Sequence, residues 1–323
     1  MLSRTPFVLG VLAVTSLSSA QYTIQDSYTA SNFFDGFSFY DGTDPTHGYV
    51  SFVSSSTANT TALAGLSQDQ VYLGVDHTTL NPPNGRASTR LSSNKAYTHG
   101  LFLADIGHMP SSTCGVWPAF WTFGPNWPAS GEIDIIEGVN AATTNTATLH
   151  TSSGCNMENS GSITGSNLAV ANCNSDSGCS QTTTSTQGYG SVFNTGLGGI
   201  YALEWTSSHI SVWFFPRSNI PADILADTPD PSTWGDASTR FVGNSCDIDN
   251  HFMNHNLVFD TTFCGDWAGQ AWSSDATCGK LADTCNDYIA QNPEAFKEAY
   301  WLINSVKVFG MKAAGVAERE WRG

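Results

Sequence analysis

Charge is scarce in this chain, and positive charge most of all: 12% of its 323 residues are charged, with 12 Lys and Arg against 28 Asp and Glu, a formal net charge of −16. That balance argues against nucleic acid or an anionic membrane as a partner. It leaves a neutral ligand open. Long apolar runs are absent beyond the first twenty residues, where none of the later segments approaches the roughly 20 apolar residues that cross a bilayer. Residues 1–20, with Arg4, the apolar stretch from Pro6 to Leu17 and the small residues Ser18, Ser19 and Ala20, read as a secretory signal, so the mature chain is expected to start at Gln21 and to be secreted. No cysteine falls in a CxxC pair with a histidine at zinc spacing, which argues against a metal site; neither a metal nor another cofactor is expected. Internal repeats and a dividing linker are missing, so residues 21–310 are expected to form one domain. The tail 311–323 is charged and carries no lipid-anchor signal.

Present instead are eight cysteines, Cys114, Cys155, Cys173, Cys179, Cys246, Cys264, Cys278 and Cys285. An even number in an exported chain predicts four disulfides. Short intervening segments rich in turn formers suggest Cys173 with Cys179 and Cys278 with Cys285. The sequon at Asn59 predicts glycosylation on a surface loop.

Alternating or β-branched runs recur between turn signals: 71–75, 86–91, 100–104, 133–136, 200–205, 210–215, 256–262 and 305–309. Many strands and few helical patterns, the clearest at 293–299, predict an all-β sandwich or barrel. Residues 201–205 and 210–214 alternate on both sides of a short turn, the pattern of a hairpin.

Against this sparing use of charge, PASGEIDIIEGVN at 128–140 sets Glu132, Asp134 and Glu137 within six positions. A helix would hold the two glutamates about 140° apart. The β-branched Ile133, Ile135 and Ile136 between Gly131 and Gly138 favour a strand. Strict alternation would place Glu132 and Asp134 on one face and Glu137 on the other. A β-bulge at Ile135–Ile136 adds the one residue that returns Glu137 to its partners' face. The glutamates would then lie about 13 Å apart at Cα, a gap that side chains on a curved strand can narrow toward the roughly 5 to 5.5 Å that a retaining glycosidase needs. An acidic solvated strand face, or a site for a hard cation, are the other readings of such a cluster. The aromatic neighbourhood favours sugar: Trp117, Phe120, Trp121 and Trp127 lie just upstream. Trp117 and Phe120 are expected in the core, and Trp127, between Asn126 and Pro128, as a sugar platform.

GEIDIIEGVN with WPAFWTFGPNWP before it resembles the laminarinase branch of glycoside hydrolase family 16. DPTHGYV, HGLFLADIGHMP, TLHTS, LEWTSSHISVWFFPR and FDTTFCGDWAG extend the likeness over nearly the whole mature chain. The resemblance implies a β-jelly-roll sandwich of two antiparallel sheets with a concave substrate cleft. It also implies retaining endo cleavage of β-1,3- and mixed β-1,3/1,4-glucans by a monomer. Glu132 corresponds to the nucleophile, Asp134 to an assisting acid and Glu137 to the general acid/base. Arg90 and His150 match glycone-side contacts, with Trp121 also lining the cleft and Trp267 and, more weakly, Trp272 at its other end. The alternatives are a glucan-recognition module that binds without cutting, and a transglycosylase in which a sugar replaces water.

Overall fold

The computed structural model describes residues 22–159 and 161–311. The expected signal, Gln21 and the tail beyond Met311 lie outside the described residues. Two antiparallel sheets stack face to face. The nine-stranded sheet is built around the long strands Gly100–His108 and Trp301–Met311, with the hairpin Gly199–Trp205 and His209–Pro216 continuing it. The hairpin register Tyr201↔Phe214 to Trp205↔Ile210 is the one its alternation predicts. The seven-stranded sheet runs, in spatial order, Cys179–Thr182, Thr146–His150, Glu132–Glu137, Val116–Phe123, His255–Phe263, Arg90–Tyr97 and Phe37–Phe39. A small parallel pair, Val50–Phe52 with Arg86–Ser88, stands apart from both.

One face of each sheet packs into a shared core, and the other face of the nine-stranded sheet is covered by a second apolar cluster with Leu101, Leu103, Ile200, Trp213 and Phe309. Ile133, Phe120, Leu149, Leu257 and Phe259 from the seven-stranded sheet meet Phe102, Ile106, Leu203, Trp205 and Val306 from the nine-stranded one in a single core. Phe120 stacks on Phe259 at 4.3 Å between ring centroids, in the core as expected. The layer leaves the opposite face of the seven-stranded sheet for function.

Three expectations are corrected. The helix falls at Cys285–Gln291, capped by Thr284, and the 293–299 segment supplies only the 3₁₀ turn Pro293–Phe296. Pro293 stops the one element and begins the next, because it has no N–H to continue a helix. Asn59 is exposed, but on the short helix Ser55–Thr60 rather than on a loop. Cys173–Cys179 pairs as predicted, whereas Cys278 and Cys285 do not meet: the bridges are Cys114–Cys278, Cys264–Cys285 and Cys155–Cys246. Cys278 lies on one turn and Cys285 on the following helix. Both elements pack down onto the sheet's end, so each sulfur meets a partner on the chain beneath it.

Candidate functional site

Along the strand Val116–Phe123, residues 117, 119, 121 and 123 share one face. The neighbouring strand pairs Glu132 with Phe123 and Asp134 with Trp121, then slips one residue and pairs Ile136 with Phe120 and Glu137 with Ala119. Ile135 is therefore the extra residue of a β-bulge. Glu132, Asp134 and Glu137 all stand opposite odd-numbered residues, on the face turned away from the core. Ile133, Ile135 and Ile136 are buried beneath them. Without the bulge Glu137 would point into that apolar layer.

Cross-strand registers assemble the rest of this face. Glu137 shares a row with Ala119, Asp260 and Arg90. Asp134 shares the next with Trp121, Val258 and Thr148, and Glu132 the next with Phe123, Asn256 and His150. Trp117 Nε1 donates to Glu137 at 2.8 Å, and Trp127 Nε1 donates to Glu132. His150 Nε2 lies 3.7 Å from Asp134 Oδ2. Arg90 lies 3.7 Å from Asp260, its guanidinium 4.9 Å from the Tyr40 ring and 4.9 Å from that of Trp121.

Burial among like charges sets the protonation of these groups. It pushes Glu132 up to about 7, with the Trp127 N–H, a hydrogen bond from Asp134 and the charge of Arg90 each holding the carboxylate form. Burial pushes Glu137 higher, to about 8; the Trp117 N–H opposes this and the charges of Glu132 and Asp260 add to it. Burial drives Asp134 well above the ordinary range, reinforced by the charges of Glu132 and Glu137 and by the proton it shares with Glu132. Asp260 is raised by burial to about 7, with Arg90 pulling it down. His150 is lowered by burial and stays neutral. An ionised Glu132 braced by a protonated Asp134, beside a protonated Glu137, is the division of labour that nucleophilic attack with acid assistance needs.

Glu132, Asp134 and His150 offer three ligand atoms within 4.8 Å of one another. A cation there would displace the proton Asp134 shares and would occupy Glu132 itself.

Trp127 is 58% exposed beside Glu132, open for a sugar ring to stack upon. Trp121 and Arg90 meet in the middle of the face, and Arg90 is buried there rather than being an ordinary surface arginine. Trp267 packs edge-on against Trp117, 5.7 Å between centroids. Trp117 is thus a half-buried member of the carboxylate face and not the core residue expected. Trp272, by contrast, is buried at 2% and donates to Ala282 O beneath the Cys114–Cys278 bridge, away from this face. Asp260 and Tyr40 were not anticipated. Asp260 carried a usable signal, a lone acid in the apolar strand His255–Phe263, but Tyr40 carried none.

A family model described as "XgeA-like, catalytic GH16 domain" matches residues 37–309. An endo-1,3(4)-β-glucanase of Arthroderma benhamiae is 45% identical over 95% of this chain and 68% of its own length. The chain spans about half the length (49%) of a relative from Aspergillus fumigatus that is 43% identical to it. Among solved structures, an elongating family 16 β-1,3-glucosyltransferase is 45% identical, with a TM-score of 0.85, over 90% of this chain and all of its own. Laminarinase 16A of Phanerochaete chrysosporium, with β-glucans in donor and acceptor sites, is 41% identical over the same shares at a TM-score of 0.85.

Proposed function

This chain belongs to glycoside hydrolase family 16, and from that premise we propose that it is a secreted, retaining endo-β-1,3(4)-glucanase acting on β-1,3- and mixed β-1,3/1,4-glucans. The observation that carries the mechanism is the bulged strand, which turns Glu132, Asp134 and Glu137 to one face with an indole N–H on each glutamate. Glu132 attacks C1 of the bound glucosyl unit while Glu137 gives its proton to the leaving oxygen. The glycosyl-enzyme is then opened by water, from which Glu137 takes a proton. Asp134 orients Glu132 through their shared proton. Trp127 and Trp121 offer stacking surfaces, and Arg90 and His150 offer polar contacts to the sugar hydroxyls. Likeness to glucanases supports the substrate class, and four disulfides support export.

Azide rescue tests the roles. An activated aryl glucoside oligomer needs little acid help, so Glu137→Ala should form the glycosyl-enzyme and stall until azide, which needs no base, releases a β-glycosyl azide. In Glu132→Ala azide can only replace the nucleophile, and the single inversion gives the α-azide. The opposite pairing of anomers would reverse the roles. No azide product from either variant, with glucan binding intact, would sink the double displacement.

Likeness to the elongating β-1,3-glucosyltransferase favours a second reading, in which another glucan end resolves the glycosyl-enzyme in place of water. Products longer than the starting laminari-oligosaccharide, seen by mass spectrometry, would establish transfer. The carboxylates argue against a module that only binds.

A further inference from the structure

The bulge leaves a gap on the other side of its strand. Pairing between Glu132–Glu137 and Thr146–His150 runs Glu132↔His150, Ile133↔Leu149 and Asp134↔Thr148, then stops. From Ile135 onward the two backbones part, in a part of the molecule where unpaired peptide groups are costly. One side chain fills the gap. Asn145, the residue before the second strand, donates from Nδ2 to Ile135 O at 2.8 Å and accepts the Glu137 N–H on Oδ1 at 2.9 Å.

A single carboxamide thus stands where the peptide group of a longer strand would be, presenting one donor and one acceptor. The backbone fixes its orientation, since an N–H needs the oxygen and a carbonyl needs the NH₂. Asn145 is completely buried. Its own backbone is held at both ends by Thr183: its N–H donates to Thr183 Oγ1 at 3.1 Å and its carbonyl accepts the Thr183 N–H at 2.8 Å. The side chain therefore cannot follow the bulge if the bulge moves.

We propose that Asn145 is a positioning residue for Glu137, fixing the bulge so that the carboxyl lies at the leaving oxygen. The idea deepens the retaining-glucanase reading and rests on it. Asn145 touches no sugar, and its effect passes through the main chain of Glu137. Misplacement of a catalytic group by an ångström costs about a hundredfold in rate. The loss should fall on acid assistance and spare binding.

The test compares Asn145→Leu, Asn145→Ala and Asn145→Asp with the wild-type chain on laminarin and on an activated aryl β-laminaribioside, with circular dichroism reporting folding. For Asn145→Leu, kcat/KM on laminarin should fall about a hundredfold. On the aryl glycoside, whose leaving group needs little protonation, it should fall less than tenfold, with the KM for laminarin changed by less than about threefold. Asn145→Asp covers the case in which the apolar variants do not fold. Protonated, its carboxyl keeps both a donor and an acceptor, so this variant should approach wild-type activity at acid pH. It should then lose activity as the pH rises and the carboxyl ionises, bringing the alkaline limb to lower pH than in the wild type. Equal losses on the two substrates, or an Asn145→Asp profile that parallels the wild type throughout, would overturn the proposal. A folded wild-type chain inactive on both substrates would instead sink the glucanase reading, and this inference with it.

Discussion

Two indole N–H groups bear on the titration of the two glutamates: Trp127 donates to Glu132 and Trp117 to Glu137. Each stabilises the ionised form of its partner, so its loss raises that carboxyl further. For the proposed mechanism Glu132 must be ionised and Glu137 protonated. The acid limb of kcat/KM then follows Glu132 and the alkaline limb Glu137, although two carboxyls this close titrate as a pair. Trp127→Phe should move the acid limb to higher pH, by about one unit for a lost hydrogen bond to a charged group, and leave the alkaline limb in place. Trp117→Phe should do the reverse, carrying the alkaline limb upward. Profiles on laminarin check both. A Trp127→Phe profile with an unmoved acid limb would mean that the N–H does not govern Glu132.

At the scale of an element, the carboxylate strand carries an apolar core face and a face bearing all three acids, and one extra residue reconciles them. Ile135 absorbs the slip between Asp134↔Trp121 and Ile136↔Phe120. A second extra residue would undo it, because the pleat alternates with a period of two. One alanine inserted between Ile135 and Ile136 should turn Glu137 toward the layer of Ile133, Phe120 and Leu149. Burying a carboxyl there without partners costs several kcal/mol, or forces its neutralisation. The expected result is loss of detectable laminarin hydrolysis together with a thermal midpoint lowered by several degrees. An insertion variant with wild-type turnover would show that register is not what aims Glu137.

Across the whole molecule, the bridges divide by the length of chain they close. Cys114–Cys278 spans 164 residues and Cys155–Cys246 spans 91, whereas Cys264–Cys285 spans 21 and Cys173–Cys179 only 6. In the chain-entropy account the longest loop is worth about 5 kcal/mol and the shortest about 2. Replacing both members of Cys114–Cys278 by serine should therefore lower the thermal midpoint by several degrees more than the same change at Cys173–Cys179. Scanning calorimetry of the two double variants decides it, and a larger drop at Cys173–Cys179 would contradict the account. Cys114–Cys278 also fastens the end of the strand that carries Trp117 and Trp121, so its loss should weaken glucan binding as well.

Sequence alone was enough for what depends on neighbours along the chain. Alternating or β-branched runs marked nine of the eighteen strands among the described residues, because side chains turned into the shared core recur at every second position of a strand. Parity in GEIDIIEGVN called for the bulge, because three acids cannot otherwise share a face with isoleucines between them. Only the tertiary structure could supply what depends on neighbours across it. Trp117 reads as core in an aromatic run, yet registry with Glu137 puts it on the open face. Trp272 reads as a cleft residue, yet a disulfide folds it underneath. Cys278 and Cys285 are close in sequence and belong to different bridges, because packing onto the sheet rather than loop length chose their partners. Asp260 and Asn145 gain their roles only when strands distant in sequence are laid side by side: one places a carboxylate beside Arg90, and the other supplies the amide that a broken ladder lacks.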